Sequence, residues 1–121
     1  MTYVDGFVIA VPTKNKDAYR KLAEVAWKVF KKHGALRQVE CWGDDVPEGK
    51  LTSFTMAVKR GDDETTVFSW MEWPSKEVRD AAHKTAMEEF SNMPDMGPDK
   101  MPFDGKRMIF GGFQPLFDER A

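Results

Sequence analysis

Tyr3-Val4-Asp5-Gly6-Phe7-Val8-Ile9-Ala10-Val11 is the stretch that decides the fold. Aromatic and β-branched residues dominate it, so it reads as a strand, and Pro12 ends it. Tyr3, Phe7, Ile9 and Val11 fall on one side of that strand, Val4, Val8 and Ala10 on the other. A strand apolar on both sides is covered on both sides. Residues 106–117 repeat the pattern, with Ile109 and Phe113 on one parity and Met108 and Phe110 on the other. Gly111-Gly112 interrupts that second run, which points to a bulge or to close packing against another backbone.

Between these strands, residues 14–33 read as a helix. Ala18, Leu22, Val25 and Val29 form one apolar stripe, and Tyr19, Ala23, Ala26 and Phe30 a second beside it. Gly34 supplies the stop. Residues 35–43 form a poorly alternating strand, with Leu36, Gln38, Glu40 and Trp42 on one face and Arg37, Val39 and Cys41 on the other. Residues 44–49 are turn chemistry. Residues 51–59 fit either a short strand extension or a short helical turn capped by Thr52 or Ser53, and an irregular reading is preferred. Thr65 to Trp73 reads as a strand. Residues 75–90 form a helix with Ser75 as N-cap and a stripe of Val78, Ala82, Ala86 and Phe90. Residues 91–104, rich in Pro, Met and Gly, form a long loop of the kind that is functional or disordered.

The order is β-α-β-(irregular)-β-α-β, the split βαβ pattern of an α+β, ferredoxin-like βαββαβ sandwich in one domain, residues 1–121. Its helices cover one sheet face. The first and last strands are apolar on both, so a second copy of the chain is expected against the bare face.

Composition narrows the function classes. The 121 residues carry 18 Lys and Arg against 20 Asp and Glu, a formal charge of -2. That balance argues against a domain built to hold nucleic acid. The single cysteine, Cys41, excludes an internal disulfide and fits a reducing compartment. No basic start followed by an apolar run suggests a leader, and no stretch suits a bilayer, so the expected location is the cytoplasm. The two histidines and one cysteine do not fall at metal-ligand spacing, and Gly111-Gly112 lacks the helix a phosphate loop needs. No cofactor or metal is expected.

The succession Tyr3-Val4-Asp5-Gly6-Phe7, Glu40-Cys41-Trp42-Gly43-Asp44-Asp45-Val46-Pro47, Phe68-Ser69-Trp70 and Trp73-Pro74-Ser75-Lys76 is similar to a bacterial family of YbaA-like proteins. The block Met101-Pro102-Phe103-Asp104-Gly105-Lys106-Arg107-Met108 carries the resemblance most specifically. It implies the dimeric α/β-barrel superfamily, hence a dimeric barrel, and no particular activity. Other branches of that superfamily include cofactor-free monooxygenases, lactone isomerases, haem enzymes and ligand sensors, and fold does not choose among them.

Candidate site residues follow from side-chain chemistry. Arg79 and His83 lie four apart on one helix edge, where they are able to orient an anionic or enolisable substrate with His83 as base. The plainer reading is that both touch solvent at the sheet edge. Glu40 is the third catalytic candidate if its face is the dimer interior; the plainer reading pairs it with Arg37 or Arg107. Trp42, Trp70 and Phe68 are candidate ligand-binding aromatics, equally at home in a dimer core. His33 is a fourth candidate, although a helix C-terminus favours it through the macrodipole alone. Cys41 reads as a small core residue.

The expectation is a small-molecule-handling domain with an aromatic pocket and Arg79 and His83 at its polar end, by analogy a cofactor-free oxygenase or isomerase. The alternative is a structural or interaction dimer without catalysis. A weaker one is RNA binding through the basic face of the first helix. Partners are a second copy and a small organic ligand, with nucleic acid and membrane not expected. An enclosed cavity above about 300 Å³ touching Arg79 or His83 is the mark of ligand handling, and a solid core there the mark of an interaction dimer.

Overall fold

The computed structural model describes residues 2–121. Strand β1 (Tyr3–Pro12) leads through a short 3-10 turn into helix α1 (Lys16–Lys32), strand β2 (Arg37–Trp42) and a single helical turn, α2 (Phe54–Ala57). Strand β3 (Glu64–Trp73), helix α3 (Lys76–Ser91) and strand β4 (Ile109–Phe113) follow. The four strands form one antiparallel sheet in the order β2-β3-β1-β4. This is the expected ferredoxin-like α+β topology.

Both long helices cover the face that carries the odd residues of β1. At one end Tyr3, Met71 and Trp73 pack with Ala35, Ala82, Trp27, Phe30 and Val78. At the other, Ile9, Val11 and Val67 pack with Tyr19, Trp42, Phe103 and Met108. Of the two stripes on α1, Tyr19 of one and Val29 of the other are buried, while Ala18 and Val25 are exposed.

The opposite face is covered only in part. Residues 51–59, expected to be irregular, hold α2. Ser53 caps it, its Oγ accepting from the Met56 amide at 3.0 Å. Val58, just beyond the turn, is fully buried against Val8 and Ala10. The rest of that face is bare: Phe68 is 45% exposed, Ile109 44% and Phe113 60%.

Two element ends differ from expectation for local reasons. β4 stops at Phe113 because Pro115 has no amide to offer a ladder. It starts late because Asp104 caps a 3-10 turn over Gly105–Arg107, its carboxylate accepting from the Lys106 amide at 3.0 Å. No bulge marks Gly111-Gly112, since Gly6 faces Gly111 and Asp5 faces Gly112 in regular register. Close approach is the reason for Gly112. A Cβ there would collide with the Tyr3 hydroxyl and lie 2.8 Å from Arg79 Nη2.

The loop expected over residues 91–104 is pinned rather than free. Asn15 Nδ2 donates to the Pro102 carbonyl at 2.9 Å, and the Phe103 ring meets Tyr19 edge-on, with centroids 5.8 Å apart. Arg107 is the clamp. Its Nη1 and Nη2 donate to the two Glu64 oxygens at 2.7 and 2.6 Å, its Nε to Asp104 at 3.0 Å, and Nη1 also to the Lys59 carbonyl at 2.8 Å. The hydrogen bond from Arg107 holds the Glu64 carboxyl down at about 2, from an ordinary 4.5. A carboxyl with a depressed folded value stabilises the fold above its unfolded pKa and loses that contribution as pH falls towards the folded one. Arg107→Met is therefore expected to lower stability at neutral pH by about 2 kcal/mol. Its deficit against the parent should shrink as pH falls from 4.5 towards 2. Urea unfolding across that range checks it; a deficit independent of pH would contradict the clamp.

Candidate functional site

Two polar clusters lie between the sheet and the helices. The first is built on β2. Even positions of β2 face the helix layer, so Gln38, Glu40 and Trp42 stand opposite Met71, Ser69 and Val67 of β3. Tyr19 of α1 reaches down onto this row, its hydroxyl donating to Glu40 Oε1 at 2.6 Å. Gln38 Nε2 donates to Glu40 Oε2 at 3.1 Å. Glu40 is exposed to the groove, yet partial desolvation beside Tyr19 pushes its carboxyl up, and the bonds from Tyr19, Gln38 and Ser69 offset only part of this. Burial, with the Glu40 charge adding to it, raises the Tyr19 hydroxyl as well, so this phenol stays protonated.

A groove of about 610 Å³ opens between α1 and β2 beside this pair, walled by Trp27, Trp42 and Ala23 with Glu40 and Gln38 at its floor. A second cavity of about 210 Å³ lies deeper, lined by Phe7, Ile9, Phe30, Met71, Phe103 and Met108. Tyr19, Ala23, Gln38 and Glu40 line both. At the mouth, Lys16 Nζ sits 5.4 Å from the centre of the Trp42 ring.

The second cluster is built on Asp5, a carboxylate only 2% exposed. Arg79 Nη2 and Nε donate to Asp5 Oδ1 at 2.7 and 3.0 Å, His83 Nε2 stands 2.9 Å from Oδ2, and the buried Trp73 indole N–H donates to Oδ2 at 2.9 Å. The Arg79 guanidinium also lies over the Tyr3 ring, 5.2 Å from its centre. Burial opposes ionisation of Asp5, but the bonds from His83 and Arg79 outweigh it and hold the carboxyl below its usual range. Arg79 is pushed up chiefly by the same bond. Neither Arg79 nor His83 lines the groove or the deeper cavity.

The seven candidates are thus separated into four places. Arg79 and His83 meet at Asp5. Glu40 and Trp42 meet at the groove. Phe68 and Trp70 lie on the open sheet face, where the Trp70 indole donates to Glu72 at 3.0 Å. His33 caps α1 and pairs with Glu89 at 3.2 Å. The partners expected for Glu40 are engaged elsewhere: Arg37, on the other face of β2, pairs with Glu72 at 3.6 Å, and Arg107 holds Glu64. Glu40 faces the helices, so its face is not the bare one a second copy is expected to meet. Among the described residues no group of three or more His, Cys, Asp or Glu is placed to hold a metal ion. No described helix is long and apolar enough to cross a membrane.

The family described as Protein of unknown function (DUF1428) matches residues 2–105. The chain belongs to the DUF1428 family. It is 59% identical over 119 residues to the Uncharacterized protein YbaA of Escherichia coli strain K12, which covers 98% of this chain and 100% of that protein. The YbaA of Shigella flexneri is similar to the same extent, 59% over 119 residues with the same coverage. Two solved structures share the fold of this DUF1428 chain, both described as dimeric ferredoxin-like proteins from an uncultured marine organism. One superposes with a TM-score of 0.59 at 13% identity, covering 99% of this chain and 98% of the other. The second gives 0.56 at 11% identity, covering both chains completely. These matches agree with the YbaA-like resemblance and with the fold read from the strands.

In this DUF1428 domain two site residues escape a reading of side-chain chemistry. Asp5 is one, and its signal is a lone acid on the parity of Tyr3, Phe7 and Ile9. Tyr19 is the other, and it reads as one more member of an apolar stripe until Glu40 is found beneath it.

Proposed function

We propose that this chain is one half of a homodimer in which each protomer handles a small organic molecule in the groove between α1 and β2. The observation that carries the reading is the Glu40–Tyr19 pair at the floor of an aromatic-walled groove of about 610 Å³, within the range of small-molecule sites. Arg79 and His83, spent on Asp5, are not its polar end. Glu40 is the group there able to take up and return a proton: it is open to the groove, and partial desolvation raises its carboxyl above the usual range. Proton transfer of that kind is what an isomerase needs, and no cofactor is required for it. The dimer rests on the exposed aromatic face around Phe68 and Phe113 and on the dimeric description of the two similar folds, and two such sheets face to face would close a barrel. An interaction dimer without a ligand shares that face and differs only in the groove.

The four tryptophans separate these readings. Trp27 and Trp42 wall the groove, Trp70 lies on the open face and Trp73 is buried in the core. In a fragment screen followed by the indole N–H resonances, ligands are expected to shift Trp27 and Trp42 and to leave Trp73 in place. Shifts confined to Trp70, or none, would sink the groove reading.

A further inference from the structure

The polar floor of the groove is short of one thing, a hydrogen-bond donor. Gln38 Nε2 donates to the Ala23 carbonyl at 3.3 Å and to Glu40 Oε2 at 3.1 Å, so both of its amide hydrogens are used. Turning the amide over would set its oxygen against two acceptors, which fixes its orientation. Gln38 Oε1 is thereby left buried with no partner among the described residues. A buried acceptor without a donor is unfavourable, and a ligand that supplies one is rewarded. The Tyr19 hydroxyl hydrogen is also used, on Glu40 Oε1. The Ser69 hydroxyl, which faces Glu40 across the strands, bonds to it as well, so the acceptor left without a donor is Gln38 Oε1.

The occupant must bring the donor, and three kinds of molecule do so differently. A carboxylate brings none and adds a negative charge beside Glu40. An ammonium brings several, but it meets Lys16 at the mouth, with Arg20 paired to Glu24 beside it. The cation-accepting face of Trp42 is already taken by Lys16. A hydroxyl brings one donor and no charge. The flat walls of Trp27 and Trp42 suit a ring.

Building on the groove reading above, we infer that the ligand is a neutral hydroxylated aromatic whose hydroxyl donates its one hydrogen to Gln38 Oε1.

Four probes of one size decide the matter: naphthol, its methyl ether, naphthoate and naphthylmethylamine, each titrated into the intact protein while the Trp27 and Trp42 indole resonances are followed. Naphthol is expected to bind at least ~10-fold more tightly than the ether, since a site built around a hydroxyl rejects the analogue that lacks its hydrogen. Gln38→Met should bring naphthol down towards the ether and leave the ether unchanged. An ether as tight as naphthol, or a tighter naphthoate or naphthylmethylamine, overturns the hydroxyl assignment and leaves the groove standing. If no probe shifts Trp27 or Trp42, the groove and the assignment fall together.

Discussion

Replacing Asp5 by alanine is expected to destabilise the fold by about 3–5 kcal/mol, the range for removing one partner of a buried ion pair. Asp5 is nine-tenths and more buried, and three donors converge on it from Arg79, His83 and Trp73. Truncation leaves the Trp73 indole N–H in the core with no acceptor and the Arg79 charge with only the more exposed Asp80 for a partner. For a domain of this size the melting temperature should fall by about 10 °C or more. The effect has a pH signature. Asp5 is held below its usual range, so its contribution is complete above the unfolded carboxyl value of 3.8 and is lost as pH falls through the folded one. Parent and variant should converge in acid. The control is the pair of changes Asp5→Ala and Arg79→Met together, which removes the stranded cation and should recover part of the loss. Chemical unfolding of the four proteins measures the coupling. A deficit for Asp5→Ala under about 1 kcal/mol would show that the cluster is not a buried ion pair in solution.

The second large effect concerns assembly. Phe68→Asp combined with Phe113→Asp is expected to turn a dimer into a folded monomer. Both side chains are exposed in the protomer, so the fold itself should tolerate the change. In a two-fold interface each substitution appears twice, and a carboxylate desolvated there without a partner costs several kcal/mol. The dissociation constant should rise by ~10³-fold or more, equivalent to about 4 kcal/mol. Sedimentation equilibrium, with circular dichroism to confirm the fold, measures it. A parent chain that is monomeric at micromolar concentration would remove the dimer from the proposal.

The strand that opens the chain was legible because its apolar residues occupy both parities, and that pattern has few structural solutions. Arg79 and His83 were legible as neighbours because helical spacing places them so. Their partner was not, because Asp5 lies 74 residues away from Arg79 and meets it only once the sheet is assembled. The same limit applies to Glu40. Its face was read correctly from alternation along β2, but whether helices or a second copy cover that face is a tertiary fact. The segment over residues 51–59 was ambiguous because a four-residue turn has too few positions to show a period. Ser53 was its one usable signal. The block from Met101 to Met108 marks the family most strongly in sequence. In the structure much of it goes to the Arg107 clamp, the Asp104 cap and the Phe103 plug, and its distinctiveness alone says nothing of chemistry.

The Ser53-capped turn has a geometric consequence for any pair of protomers. It stands proud of one end of the otherwise flat strand surface, with Phe54 edge-on to Phe68 at 5.8 Å. A second copy laid across the whole sheet would strike this step. A pair formed through this face would find the open surface at the end around Val4 and Gly6, away from the turn. Shortening the turn would then enlarge the surface open to a second copy and uncover Val8 and Ala10.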